Sequence, residues 1–293
     1  MGKRVLLFLM TNLAIIITLS VVLQVLGWTG YIGPGLRLQL VPLAIFCLFW
    51  GMGGALISLQ LSRWMAKRAM GVGLVDGRSG HPELDWLYNT VANLTRQAEL
   101  PMPEVGVYDS PEVNAFATGP SQRRSLVAVS TGLLRTMERH EAEAVLAHEV
   151  SHIKNGDMVT MALLQGVMNA FVMFFARLVG WIVRQSIDSR AAHTISFLVI
   201  IVLDIVLGIL GSMVTAWFSR QREFRADAGA AALSGRQGMI SALRRLMQYR
   251  ESVDTSQPAL ASFKIAGRGG FLALLATHPP LERRIAALES QMG

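Results

Sequence analysis

The stretch Leu146-Ala147-His148-Glu149-Val150-Ser151-His152 contains the pattern His-Glu-x-x-His. It lies in a run of good helix formers, residues 141–153, which Asn155-Gly156 then ends. Residues four apart on a helix project from one face, so His148 and His152 can aim two imidazoles at one metal ion. Glu149 lies between them in angle, and its carboxylate can reach a water on that metal. Two neutral imidazoles and a nearby base are what zinc hydrolysis asks of one helix. The competing reading is a surface helix that happens to carry two histidines. The motif therefore needs a third ligand and a fitting context.

The context is a membrane protein. The chain is 52% hydrophobic and only 16% charged, which is too apolar for an average soluble protein. Four apolar runs stand out at residues 5–26, 38–61, 158–183 and 195–218, each long enough to cross a bilayer. The first reads as an uncleaved helix: it is long for a signal peptide, lacks a clear small-x-small site, and a second run follows closely. Arg63, Lys67 and Arg68 follow the second run, while only Arg37 lies in the connection before it. The positive-inside rule then puts the N-terminus and the segment after Leu61 in the cytoplasm. Gly51 and Ala55, four apart, suit close helix packing. Arg177 and Asp204 lie inside the third and fourth runs and could meet; a structural role is favoured over a functional one. The net charge of +7 suits anionic lipid; with no basic stripe interleaved with aromatics, no nucleic-acid partner is expected. Cys47 is the only cysteine, so no intrachain disulfide can form.

Between the runs the chain reads as soluble. Leu84, Leu87, Val91 and Leu94 mark a helix over residues 82–99. Residues 105–108, 114–118 and 126–130 read as short strands, the last two joined by a polar turn over 119–124. Thr131 is a candidate helix cap. Residues 223–249 read as helical, 252–270 as a mobile loop and 281–289 as a short helix. The division that follows is a membrane hairpin (1–70), a first soluble segment carrying the His-Glu-x-x-His helix (71–157), a second hairpin (158–219) and a second soluble segment (220–293).

A third ligand must be a carboxylate or histidine on the same membrane side as His148. Two crossings return the chain to that side at Arg220, where Glu223-Phe-Arg-Ala-Asp227 follows. Glu223 could ligate the metal, and Asp227 could accept the N–H of a ligand imidazole. The competing reading is a solvated face of alternating charge. His140 fits a solvated helix start, and His81 and His193 fall in loops.

These residues carry a resemblance. His148-Glu-Val-Ser-His152-Ile-Lys-Asn-Gly-Asp157 with Glu223-Phe-Arg-Ala-Asp227 resembles the HtpX family of bacterial membrane metalloproteases. The likeness extends to Asn114-Ala-Phe-Ala-Thr-Gly119, Ser130-Thr-Gly-Leu-Leu134, Thr277-His-Pro-Pro280 and the order of the four apolar runs. The family belongs to the gluzincins, as do the CAAX prenyl proteases. The resemblance implies a helical membrane protein whose zincin-like, mainly α (α+β) cytoplasmic domain carries a small sheet. It implies one Zn2+ held by His148, His152 and Glu223, Glu149 as general base and Asp227 behind the ligands. It further implies that Asn114, Ala115 and Phe116 form an edge strand holding extended substrate, and that His278 steadies the oxyanion. The expected partners are protein or peptide substrates and the lipid bilayer. The expected role is quality control of damaged membrane proteins under stress, in the bacterial inner membrane. The sequence gives no oligomeric state. A catalytically silent membrane scaffold or receptor is opposed by the intact Glu149, and a metal transporter by ligands that lie outside the apolar runs.

Overall fold

The computed structural model describes residues 40–187, 190–256 and 274–290. The first apolar run and the 257–270 part of the expected loop lie outside them. Twelve elements follow in order among the described residues: α1 (Leu40–Met70), β1 (Gly73–Val75), α2 (Pro82–Gln97), β2 (Glu104–Tyr108), β3 (Ala115–Ser121), β4 (Arg124–Ser130), α3 (Thr131–Thr136), α4 (Arg139–Asn155), α5 (Asp157–Ser186), α6 (Ala192–Ser234), α7 (Arg236–Ser256) and α8 (Leu281–Ser290). The protein is therefore mostly helical with a small mixed sheet. The chain divides into two compact units: one holds Leu163–Val214 and residues up to Leu56, the other Ile57–Ala162 and residues from Thr215.

The first unit is built from α1, α5 and α6, three helices long and apolar enough to cross a membrane. Its outward residues are large and apolar, including Ile45, Phe49, Phe171 and Val202. Water would not tolerate so much exposed apolar surface, whereas lipid matches it. Small residues set the packing. A Cβ added at Gly51 would lie 2.6 Å from the Ala170 backbone nitrogen, so α1 and α5 touch backbone to backbone there. Asp204 is buried, Arg177 is half-buried, and the two stand 3.8 Å apart.

In the second unit the sheet order is β1-β2-β4-β3, with β2 and β4 parallel and the other pairs antiparallel. β4 is central and buried along Ser125–Ser130, as a strand covered on both faces must be. Alternation divides its side chains. Val127 and Val129 join the main core with α2, α4, α7 and α8, while Leu126 and Ala128 pack with Tyr108 and Phe116 on the other face. β3 pairs only with β4 among the described residues, so it is an edge strand.

Several local expectations are revised. β1 was not foreseen, because three residues carry too little pattern. β3 runs on to Ser121 through a bulge, and the Ser121–Arg124 pairing shortens the turn to Gln122-Arg123. The cap of α3 is Ser130, whose Oγ accepts from the Leu133 N–H; Thr131 is the first helical residue. α6 is one 43-residue helix running from the apolar run through Glu223, since nothing between Phe218 and Glu223 breaks a helix.

α4 starts in a capping box between Glu138 and Glu141 and ends at Gly156, whose φ of 65° is the left-handed conformation that glycine adopts freely. The buried Glu141 also accepts from Ser241 Oγ (3.0 Å) and Arg245 Nε (3.3 Å), which fixes α7 to the start of α4. Glu141→Ala should therefore cost roughly 1–3 kcal/mol and lower the melting temperature in detergent by several degrees. A melting curve that matches the wild type would show that this junction contributes nothing to stability.

Candidate active site

α4 presents His148, Glu149 and His152 within two turns, and His148 and His152 are buried. α6 approaches α4 closely where Gly229 faces Ser151; a Cβ at Gly229 would lie 2.6 Å from Ser151 Oγ. Ser151 Oγ is turned inward and donates to Ala147 O, 2.7 Å away. This close approach brings Glu223, which has no exposed surface, onto the two histidines. The Nε2 atoms of His148 and His152 stand 3.1 Å apart. Glu223 Oε1 is 3.4 Å from His152 Nε2, and Oε2 is 3.6 Å from His148 Nε2. Ligand atoms of these three residues all lie within 4.8 Å of one another and could hold a metal ion.

A second ring of contacts fixes the tautomers. His148 Nδ1 donates to Asp227 Oδ1 at 2.9 Å, and His152 Nδ1 donates to Asp157 Oδ2 at 2.6 Å. With each Nδ1–H committed to a carboxylate, the neutral rings turn both Nε2 lone pairs toward the same point. Two facing lone pairs repel unless a cation lies between them. Glu223 Oε1 is buried with no hydrogen-bond partner among the described residues, a further position that a cation would satisfy. Arg284 on α8 holds Asp227 in a bidentate pair, through Nη2 at 2.6 Å and Nε at 2.7 Å. Its Nη1 stands 3.5 Å from Glu223 Oε2. Three carboxylates (Glu149, Glu223 and Asp227) thus act on one buried guanidinium.

The protonation equilibria reflect this crowding. Burial disfavours a charged His152, but its bonds to Asp157 and Glu223 outweigh burial and push it up to about 9. His148 moves the same way: burial lowers it, and Asp227 and Glu223 raise it further. Burial would raise Glu223, yet its contacts with His148, His152 and His278 hold it well below the usual carboxylate range. Burial would raise Asp227, but its contacts with Arg284 and His148 together lower it.

The structure brings His148, His152, Glu223, Asp227 and His278 together. His278 Nδ1 is 2.8 Å from Glu223 Oε2, and the segment leading to it is held by Arg220 Nη1, which donates to the carbonyls of Leu274 and Ala276. Glu149 is half-buried on the same helix, and its charge helps to raise His152. β3 packs against α4, but its residues do not all face that helix. The Asn114 side chain is engaged at Tyr108 OH, 2.8 Å away, and Phe116 lies on the other face of the sheet against Tyr108. Ala115 belongs to the face that packs with α4.

Two contributors had no role assigned from the sequence. Asp157 follows the Gly156 turn and so reaches back to His152. Arg284 lies in the helix expected over residues 281–289, where it was not singled out. Its signal was phase: it falls on the buried stripe Leu281, Arg284, Ile285, Leu288, where an ionisable residue is out of place.

The model of peptidase family M48 matches residues 82–292. The chain belongs to peptidase family M48. It is a metalloprotease, and the three apolar helices among its described residues make it a membrane protease. It is 52% identical over 287 residues to protease HtpX of Pasteurella multocida, covering 98% of this chain and 97% of the relative. A protease HtpX homolog of Methylacidiphilum infernorum is 49% identical over 299 residues, with 99% of each chain covered. Among solved structures, S. mikatae Ste24p shares the fold of this M48 member, with a TM-score of 0.58 at 17% identity. The match covers 84% of this chain and 58% of the Ste24p chain.

Removing the acceptor behind His152 tests the outer ring. Asp157→Ala should weaken divalent-metal binding by about 10–100-fold, read by dialysis against graded chelators. Wild-type affinity in a variant of unchanged helix content would show that Asp157 does not orient the ring.

Proposed function

We propose that this chain is a zinc-dependent endopeptidase of the bacterial inner membrane that cleaves misfolded or damaged membrane proteins during stress. The stress role rests on the resemblance to the HtpX family. The zinc reading rests chiefly on one observation. Donors placed tetrahedrally about one zinc ion would stand roughly 3.3 Å apart; here the two Nε2 atoms are 3.1 Å apart, each lies 3.4–3.6 Å from a different oxygen of Glu223, and one ligand atom from each residue lies within 4.8 Å of the others. His148, His152 and Glu223 are the ligands in this reading, which leaves a fourth position for water or substrate. Zinc held there supplies a Lewis acid that polarises the scissile carbonyl and acidifies a water.

The chain's own residues do the rest. Glu149 accepts the proton of the attacking water and delivers it to the leaving amine. Asp157 and Asp227 keep the two imidazoles in the ligating tautomer. His278 gives its Nδ1–H to Glu223; when protonated, it has a second N–H to offer the oxyanion. Asn114 leads into the edge strand that Ala115 and Phe116 begin, and the open backbone of this stretch can pair with an extended substrate. Such pairing reads backbone more than side chains, which suits damaged proteins of varied sequence. The protease domain and both termini are cytoplasmic in this reading.

Glu149→Gln keeps size and shape but cannot accept a proton. Zinc should remain bound while casein cleavage falls by orders of magnitude. Cleavage at the wild-type rate would remove Glu149 from the mechanism.

Acidity should also govern metal uptake. In the metal-free protein His152 is mostly protonated below about pH 9, and ligation requires its Nε2 lone pair. Zinc binding at neutral pH should therefore release a proton, and affinity should rise about tenfold per pH unit, levelling near pH 9. Calorimetry in buffers of different ionisation enthalpy reads this directly. Affinity independent of pH across the neutral range would contradict the proposed ligand set.

A further inference from the structure

A groove of about 430 Å³ opens in the second unit between the β3–β4 turn and the junction of α4 with α5. It is lined by Ser121, Gln122, Arg123, Gly156, Met158 and Val159. Two features tie it to the reaction. Ser121 is the last residue of β3, so the groove continues the open edge of that strand. Gly156 and Met158 flank Asp157, whose carboxylate holds His152. Gly156 lies one helical turn beyond His152, about 6 Å along the axis. An extended chain advances about 3.3 Å per residue. A peptide lying on β3 and cleaved at His152 would thus bring a side chain about two to four residues from the broken bond into this groove.

The lining suggests what that peptide carries there. Met158 and Val159 form a half-buried apolar wall. Gln122 Nε2 donates to Lys154 O at 3.0 Å, which fixes the turn against the end of α4. Arg123 is exposed at the tip of the turn and makes no hydrogen bond or ion pair among the described residues. We propose that the groove is a substrate pocket on the β3 track. It takes a large apolar side chain against Met158 and Val159, with an acidic group of the same polypeptide at Arg123. This rests on the metalloprotease reading above, and adds a side-chain preference to a site that otherwise reads backbone.

The test uses the full chain in detergent, loaded with zinc. The substrates are peptides in which each of four positions on either side of the cleaved bond carries Leu or Ala, or Glu or Lys. The readout is the ratio of kcat/KM within each pair, which a uniform loss of activity does not move. Met158→Ala should lower the Leu-over-Ala ratio roughly tenfold at one position. Arg123→Glu should lower the Glu-over-Lys ratio roughly 3–10-fold at that position or its neighbour. Ratios unchanged at all eight positions in both variants would overturn the proposal, as would effects at positions too far apart to share one groove. Glu149→Gln runs alongside. If it abolishes cleavage, the metalloprotease reading stands whatever the groove variants do. Cleavage that survives Glu149→Gln sinks that reading, and the groove with it.

Discussion

A carboxylate with no exposed surface is the constraint around which the second unit is arranged. Stripping a carboxylate of water costs several kcal/mol even after relaxation, and Glu223 has lost all its exposure. Its neighbours answer that cost. His148 and His152 come from α4, His278 from the segment before α8, and the Arg284 guanidinium from α8 itself. None of these contacts forms unless α4, α6 and the C-terminal segment reach one place. Assembly of the site is in this sense a condition of folding.

The polar ring cannot close on hydrogen bonds alone. When neutral, each imidazole gives its one N–H to an aspartate, so the other nitrogen faces inward as a lone pair. Protonating the rings would satisfy Glu223 but set two imidazolium rings edge to face, with centroids 4.6 Å apart. A small divalent cation resolves both demands. It would take the inward lone pairs, match the surplus of carboxylate charge, and displace the protons that these carboxylates otherwise stabilise. The elevated histidines of the metal-free protein and a metal centre are two responses to one concentration of negative charge.

Much of this was legible in the sequence, and the gaps have physical causes. The His148–His152 spacing, the stop at Gly156 and the Glu223–Asp227 pair are local features, set by helix geometry within a few residues. The apolar runs that became α1, α5 and α6 are equally local. What escaped depended on partners distant in sequence or on weak signals. β1 exists because β2 offers it an edge. Ser130 caps α3 while also donating to the Glu112 carbonyl, which draws it from the strand into the turn. α6 was divided near Arg220 because hydropathy falls there, although the backbone has no reason to stop. Phe116 lies within a substrate-like motif, yet strand alternation commits its ring to the far face of the sheet.

The buried stripes of the helices carry a more general lesson. A helix packed on a core buries residues at i, i+3, i+4 and i+7, and those positions are ordinarily apolar. On α6 that stripe is Glu223, Ala226, Asp227 and Ala230, all at most 1% exposed. On α8 it is Leu281, Arg284, Ile285 and Leu288, and α4 buries His148, Ser151 and His152 together. Each helix breaks the apolar rule with ionisable residues, and the three exceptions converge. Charges on solvated faces are cheap and carry little information; a charge in phase with a buried stripe is costly and must find its partner. Small residues stand beside these charges because helices that share buried ions must approach closely, as α6 does where Gly229 meets Ser151. Read by phase, Arg284 separates from Arg283 although the two are adjacent in the chain.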